Sequence, residues 1–226
     1  MAKISFIGAG SIVFAKTIMM DIMATPELVE SEICLMDRSK PKLDRSKAFA
    51  DRAVRDNNLP TRITATLDAR EAMDGADYVV NMFDTGGFGA FEHDYKVPLK
   101  YGVDQCIGDT LGPGGVFRAL RTIPIIVNYA RIMAEVCPNA LLLNYVNPMA
   151  PVCYALGQEA KVQFVGLCHG VQTTIDLVAH VLGEKKEDLS YLAAGINHMA
   201  WFLRIEKNGA DLYPKFRALC EKPEVY

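Results

Sequence analysis

Short apolar segments alternate with segments of helical periodicity along most of this chain. The apolar segments predict strands at 3–7, 33–36, 62–66, 78–83, 141–146 and 162–167. Helical periodicity predicts helices at 12–23, 41–57, 116–136 and 173–182. This alternation favours an α/β fold with a Rossmann-like, doubly wound parallel sheet, whose ligand binds at the carboxyl ends of the strands.

The pattern changes after about residue 185. Segments 191–197 and 201–206 predict strands, and Asn208-Gly209 predicts a hairpin turn after them. We therefore predict a first, sheet-forming domain at 1–185 and the beginning of a C-terminal α+β domain at 186–226. We expect the second segment to be too short to complete a domain.

Composition and charge narrow the class of protein. Of the 226 residues, 50% are apolar, which is ample for a buried core, and the formal net charge is -3 without a basic run. Such a charge predicts no basic surface for nucleic acid or for an anionic membrane, so we expect a small neutral or anionic ligand. The N-terminus lacks the pattern of a signal peptide, and no apolar run could span a bilayer. We expect a cytoplasmic protein.

The turn after the first strand has the pattern of a dinucleotide-binding loop. In Gly8-Ala9-Gly10-Ser11 the glycines permit a tight turn and let a pyrophosphate reach the helix N-terminus. A tight turn without nucleotide is the alternative, because Val13 replaces the third glycine of the pattern. Asp37 ends the second strand, where a carboxylate binds the adenosine ribose and repels a 2′-phosphate. The pattern predicts NAD rather than NADP, with Arg38 and Asn81 as further contacts.

One cysteine and two histidines suggest a metal site. The six cysteines have no C-x-x-C spacing, and most are expected to be small buried apolar residues in a reducing compartment. Cys168 differs because His169 follows it, after a predicted strand, and His198 lies in a second strand-rich segment. A thiol and an imidazole are ligands for a divalent metal, whereas core packing is the alternative. Met199 and Trp201 are predicted to lie in the core.

Polar residues near two other predicted strand ends are candidate ligand contacts. Asn147 follows the fifth strand, where an Asn-Pro turn is the alternative interpretation. Asp109 precedes the glycines at 112–115, which we interpret as a loop that approaches a ligand. Arg118 and Arg121 share a helical face and predict a ligand clamp, with solvated charges as the alternative. His93 and His180 lie in polar helical segments and receive no role.

Taken together, five motifs in this order resemble glycoside hydrolase family four, the NAD- and metal-dependent glycosidases, and most closely its cytoplasmic α-galactosidases of the melibiase type. The resemblance covers essentially the whole chain. The motifs are Gly8-Ala9-Gly10-Ser11, the segment 110–124, the segment 144–149, Cys168-His169-Gly170-Val171 and Gly195-Ile196-Asn197-His198.

The resemblance implies a redox route to hydrolysis, outside the usual scheme of two carboxylates. NAD would take a hydride from C3 of the sugar, and the resulting ketone would acidify the C2 proton. A divalent cation, Mn²⁺ in most of the family, would hold the C2 and C3 oxygens as a Lewis acid. A base would remove the C2 proton, the aglycone would leave, water would add, and NADH would return the hydride.

The resemblance also implies roles for particular residues. Cys168 and His198 would bind the metal, and Asn147 would contact substrate and cofactor near it. His169 would assist the leaving group. We add Asp109 as a catalytic and substrate-binding residue and Arg118 as a substrate contact. Family members that act on phosphorylated sugars have an aspartate where this chain has His169, so an unphosphorylated sugar is expected.

Several alternatives remain open at this point. Because Gly170 departs from the serine typical of α-galactosidases, α-glucosidase or α-galacturonidase activity is possible within the family. The family base is a tyrosine in a part of the family sequence that this chain lacks, so the chain is a fragment or a truncated protein. Two alternatives lie outside the family. One is a lactate- or malate-type dehydrogenase, which needs no metal, and the other is a non-catalytic NAD-binding fragment. The family usually forms homodimers or homotetramers.

Overall fold

The computed structural model describes residues 1–105 and 108–222 and contains two compact units. The first unit spans Met1–Leu167, and the second begins at Cys168. No helix in the described ranges is both long enough and apolar enough to cross a membrane.

The first unit is built on a parallel sheet that confirms the predicted fold class. Within the described residues, the sheet has the strand order β3-β2-β1-β4-β5-β6. All its neighbouring strands run parallel, so their carboxyl ends share one edge. The order reverses between β1 and β4, which is where a doubly wound sheet opens a ligand crevice. The strands are β1 (Lys3–Ile7), β2 (Glu32–Met36), β3 (Arg62–Thr66), β4 (Tyr78–Asn81), β5 (Leu141–Asn144) and β6 (Gln163–Gly166).

Helices cover both faces of this sheet. Alternate residues of the strands enter two separate apolar cores, as the twofold strand period requires. Ile7, Val79 and Leu142 pack on one face, against residues of α3, α5 and α6, and Phe6 and Val80 pack on the other, against α1 and α2. The helices are α1 (Ile12–Ala24), α2 (Lys40–Asp56), α3 (Ala69–Met73), α4 (Gly87–Leu99), α5 (Gly112–Val136) and α6 (Met149–Glu159).

The prediction that the glycines at 112–115 form a loop is wrong. These residues form the first turn of α5, with Pro113 near its start, where a missing N–H is tolerated. A Cβ on Gly114 would lie 2.3 Å from the carbonyl oxygen of Gly108, and a Cβ on Gly115 would lie 2.6 Å from the backbone of Thr110. The glycines therefore let the helix pack against its own preceding loop.

The second unit packs two helices against one face of a small antiparallel sheet. Its apolar core joins Ile175 and Leu182 with Ile205 and the partly buried Phe202 and Phe216. The predicted turn at Asn208-Gly209 is present, because both residues have positive φ between β8 and β9. The elements are α7 (Gly170–Leu182), a short 3₁₀ helix (Lys186–Asp188), β7 (Ser190–Ile196), β8 (Met199–Lys207), β9 (Ala210–Asp211) and α8 (Tyr213–Cys220).

The other face of this sheet is open, which corrects the prediction that Met199 and Trp201 lie in the core. Met199 is 52% exposed and Trp201 61% exposed, and within the second unit no described element covers them. Helix α7, which we placed in the first domain, packs here in the second unit. The domain boundary at 185/186 stays a prediction.

The cysteines differ in their surroundings. Cys34 and Cys137 are buried, and burial raises the pKa of both thiols. Cys153, Cys168 and Cys220 are partly exposed free thiols, so fewer cysteines than expected are fully buried in the described part of the chain. Cys106 lies outside the described residues.

Candidate functional site

A cleft of about 390 Å³ opens at the carboxyl ends of β1, β2 and β4 in the first unit. This is the switch point of the strand order, where a doubly wound sheet binds its ligand. Five of the residues predicted to bind the cofactor line it: Gly8, Gly10, Ser11, Asp37 and Arg38. No sequence motif indicated the other lining residues, which are Met36, Lys42, Met82, Phe83, Asp84, Thr85, Gly86, Gly87, Ile125 and Tyr129.

Asp37 is held in place by two backbone N–H groups. Gly10 N donates to one carboxylate oxygen at 2.9 Å, and Ser39 N donates to the other at 2.8 Å. A Cβ on Gly10 would lie 2.6 Å from the nearer carboxylate oxygen, so only glycine permits this approach. Each carboxylate oxygen keeps a further lone pair, which is available to a ribose hydroxyl.

Gly8 lines the cleft, whereas Asn81, predicted as a cofactor contact, ends β4 and is not one of the lining residues. Gly8 has φ +88°, and a Cβ there would lie 2.6 Å from the backbone of Phe83. Asn81 ends β4 fully buried, and neither its amide nitrogen nor its amide oxygen has a hydrogen-bond partner among the described residues. A buried amide without partners is costly.

Two aromatic residues also line the cleft. Phe83 and Tyr129 meet edge to face with ring centroids 5.5 Å apart. Burial raises the pKa of Tyr129. The charge of Arg38 lowers this pKa, and the charge of Asp37 raises it. The Tyr129 hydroxyl therefore stays protonated at neutral pH and can donate a hydrogen bond.

Three predicted substrate residues come together in the first unit. Arg118 donates to Asp109 at 3.4 Å, and the amide nitrogen of Asn147 donates to the same carboxylate oxygen at 3.3 Å. Arg118 also contacts Asp84, which lines the cleft, at 2.9 Å. The side chains of Arg118 and Asp109 are only 16% and 21% exposed. We refer to Asp84, Arg118, Asp109 and Asn147 as the Arg118 cluster.

Arg121 does not act as a free ligand clamp. Its guanidinium binds both carboxylate oxygens of Asp94, one of them at 2.7 Å, and its Nε donates to the carbonyl oxygen of Thr85 at 3.0 Å. Asp94 is buried, and this hydrogen bonding raises the pKa of Arg121. The predicted shared face of Arg118 and Arg121 is present, but their partners belong to the protein itself.

Cys168 and His198 come together in the second unit. The thiol sulfur lies 3.8 Å from His198 Nε2, across thirty residues of sequence. Two ligands of one tetrahedral ion lie about 3.5 Å apart when the metal–sulfur and metal–nitrogen bonds have ordinary lengths. The pair therefore fits one metal ion. In the described ranges no group of three or more His, Cys, Asp or Glu side chains is arranged to hold a metal ion, so the pair leaves coordination positions to other ligands.

The turn that carries His198 is strained. Asn197 and His198 connect β7 to β8, and His198 has φ 134°, a value that non-glycine residues rarely adopt. Such strain is retained where the surrounding structure or a function requires it. The amide oxygen of Asn197 is buried without a partner among the described residues. Sequence analysis gave Asn197 no role, although the residue lies within the quoted motif.

The remaining histidines are separate from this pair. His169 caps the N-terminus of α7 and is exposed, and its backbone carbonyl accepts from Thr173 N at 2.9 Å. His93 and His180 lie exposed on α4 and α7.

Comparison with known proteins gives the family context. The family described as family 4 glycosyl hydrolase matches residues 3–184, and the C-terminal domain of the same family matches residues 193–225. The chain is 46% identical to an α-galactosidase of Rhizobium meliloti, over 92% of this chain and 42% of that protein. It is 40% identical to an α-galactosidase of Bacillus subtilis, over 96% of this chain and 50% of that protein. The chain thus spans about half the length of these relatives.

A solved structure agrees with the sequence matches. The 6-phospho-β-glucosidase of Thermotoga maritima, solved with manganese, NAD⁺ and glucose-6-phosphate, superposes with a TM-score of 0.85 at 27% identity. The superposition covers 99% of this chain and 54% of that protein.

Proposed function

Since this chain belongs to family 4 of the glycosyl hydrolases, we propose that it contributes the cofactor and metal residues of an NAD-dependent α-galactosidase that acts on unphosphorylated sugars. The observation that carries this proposal is the Cys168–His198 pair, in a chain that also has a dinucleotide cleft. A lactate- or malate-type dehydrogenase has no use for such a pair. The two α-galactosidase relatives support the choice of sugar.

The cleft of the first unit fits NAD. Gly8 and Gly10 leave room for the pyrophosphate at the start of α1, and Asp37 receives the adenosine ribose. When bound, NAD supplies a reversible hydride acceptor. The work of these residues is to bind and orient the dinucleotide, and Asp37 excludes a 2′-phosphate by charge repulsion.

The Cys168–His198 pair fits a divalent metal, for which we propose Mn²⁺. A thiolate and a neutral imidazole supply two ligands, and the partnerless amide oxygen of Asn197 is a further polar group at the same turn. When bound, the metal supplies Lewis-acid polarisation of sugar oxygens. Two protein ligands leave positions open for those oxygens.

The Arg118 cluster serves the sugar in this proposal. Asp109 accepts from both Arg118 and Asn147, which fixes the direction of its carboxylate. Asn147 keeps its amide oxygen for a sugar hydroxyl or the cofactor. His169, exposed at the start of α7, is proposed to protonate the leaving group.

The described residues offer no strong candidate for the C2 base. Tyr145 is the first tyrosine to consider, but burial raises its pKa, and its ring packs against Phe14 at 5.7 Å between centroids. A tyrosine in that state stays protonated at neutral pH. Asp109 remains the carboxylate to test.

Hydrolysis of p-nitrophenyl α-galactoside, with NAD and Mn²⁺ added and omitted in turn, tests the proposal. We expect hydrolysis only when both are present, in a preparation that carries this sequence with the complete C-terminal domain of the family. The corresponding α-glucoside and α-galacturonide test the two alternatives within the family. Hydrolysis without NAD would refute the redox route. Preference for the galacturonide would show that the substrate is an α-galacturonide and not an α-galactoside. We also propose that the protein acts in the cytoplasm as a homodimer or homotetramer.

A further inference from the structure

The segment between β4 and α4 forms one side of the cofactor cleft. Asp84, Thr85, Gly86 and Gly87 all line it. Gly86 and Gly87 have φ +90° and +61°, so this backbone is in a conformation that glycine adopts most readily. A segment of this kind keeps one shape only when neighbouring groups hold it.

Helix α5 holds this segment through two arginines one turn apart. Arg118 contacts the side chain of Asp84 at 2.9 Å, whereas Arg121 Nε donates to the backbone carbonyl of Thr85 at 3.0 Å. A Cβ on Gly86 would lie 3.4 Å from Arg121 Nε, so the guanidinium packs directly against this backbone. Arg121 is the residue that fixes the main chain itself.

Arg121 is in turn immobilised by Asp94. The two side chains form a bidentate pair, with Asp94 only 3% exposed and Arg121 26% exposed. A fork of this geometry fixes the guanidinium plane as well as its position, which a single lysine ammonium cannot do. The backbone of Asp94 is also held, because its carbonyl accepts from Gln105, whose own amide oxygen accepts from Gly114 N at 2.9 Å.

From these contacts we infer that Arg121 is a positioning residue for the dinucleotide. It shapes the Thr85–Gly86 backbone of the cleft through the Asp94 pair and does not touch the ligand. This inference rests on the proposed binding of NAD in the cleft. Loss of the bidentate geometry leaves the segment free to sample other conformations, and NAD then binds with the added cost of ordering it.

The test is calorimetric titration of NAD into the full 226-residue chain and its Arg121→Lys variant. Lysine keeps a positive charge opposite the buried Asp94 and so avoids an unpaired carboxylate, but it cannot contact Asp94 twice and Thr85 at once. We expect the Kd for NAD to rise about five- to tenfold, which corresponds to loss of part of one charged hydrogen bond. The thermal midpoint should change little.

Arg70→Lys is the matched control. Arg70 also pairs with a carboxylate of α5, Glu135, but at the opposite end of the helix, where both side chains are more than half exposed. Its variant should bind NAD like the parent. If Arg121→Lys does not fold, the double variant Asp94→Asn with Arg121→Gln removes both buried charges and should show the same loss of affinity.

The outcomes separate the two proposals. Unchanged NAD affinity in Arg121→Lys, beside a parent that binds NAD, would overturn the positioning role alone. A lower thermal midpoint with unchanged affinity would do the same, because it would show a purely structural pair. A parent that does not bind NAD would overturn the proposed cofactor site and this inference together.

Discussion

Asp37 should determine the preference for NAD over NADP. Its replacement should bring the two affinities closer together. The carboxylate is oriented by Gly10 N at 2.9 Å and Ser39 N at 2.8 Å, and its remaining lone pairs face the cleft. A hydrogen bond from ribose to a charged acceptor contributes about 1.5–3 kcal/mol. Its loss in Asp37→Ala should therefore raise the Kd for NAD about 10- to 150-fold.

NADP should respond in the opposite direction. The carboxylate repels a 2′-phosphate, so its removal leaves NADP affinity unchanged or improved, with Arg38 and Lys42 nearby in the cleft. Asp37→Asn should lie between the parent and the alanine variant, because the amide keeps one acceptor but presents N–H to the other backbone donor. The measurement is calorimetric titration of both dinucleotides into the parent and both variants.

The control for this series is Asp44→Ala. Asp44 lies on α2, in an ion pair with Lys40 in which both side chains are more than half exposed, so its removal should change neither affinity. Asp37→Ala must also be shown to be folded, since it leaves the N–H groups of Gly10 and Ser39 without that acceptor. Equal affinity of the parent for NAD and NADP, or an unchanged ratio in Asp37→Ala, would refute the reasoning.

Three further predictions concern the metal pair, the start of α5 and the open sheet face. We expect loss of Mn²⁺ in Cys168→Ser and in His198→Ala, measured by metal analysis after desalting, whereas the control variants His93→Ala and His180→Ala should retain the metal. Undiminished metal in both Cys168→Ser and His198→Ala would show that the pair is not a metal site. Gly114→Ala should lower the free energy of unfolding by about 1–3 kcal/mol because its Cβ would meet the Gly108 carbonyl. The control Gly89→Ala, with open space around it, should not destabilise the protein. Equal denaturation midpoints for the two variants would contradict the close packing of Gly114. Trp201, the single tryptophan, should emit like a solvated indole and be quenched readily by iodide, and a blue-shifted, protected emission would contradict its exposure.

The sequence predicted the parallel sheet well because buried parallel strands are short apolar runs between helical segments. Strands β1 and β3 have the predicted bounds, and the end of β2 at Met36 places Asp37 as expected. Glycine-rich segments were harder to interpret. Helix α4 and the first turn of α5 contain glycines that local propensity assigns to loops. In α5, Gly114 and Gly115 let the helix pack closely against Gly108 and Thr110.

The candidate site was only partly predictable, for a different reason. Strand ends and motifs indicated Asp37, Asp109 and Asn147, because position along a strand predicts the edge of the sheet. The Asp94–Arg121 pair joins two helices across 27 residues, and no periodicity signals it. Met199 and Trp201 look like core residues in sequence, since an apolar strand gives no sign of which face a neighbouring layer covers.

The most direct test of the central claim follows the sugar C2 proton. An aryl α-galactoside is incubated in deuterated water with NAD, Mn²⁺ and a preparation that carries this sequence with the complete C-terminal domain of the family. We expect deuterium at C2 of the sugar, dependent on both NAD and Mn²⁺ and lost in Cys168→Ser. Hydrolysis at full rate without NAD, with no deuterium at C2, would contradict it.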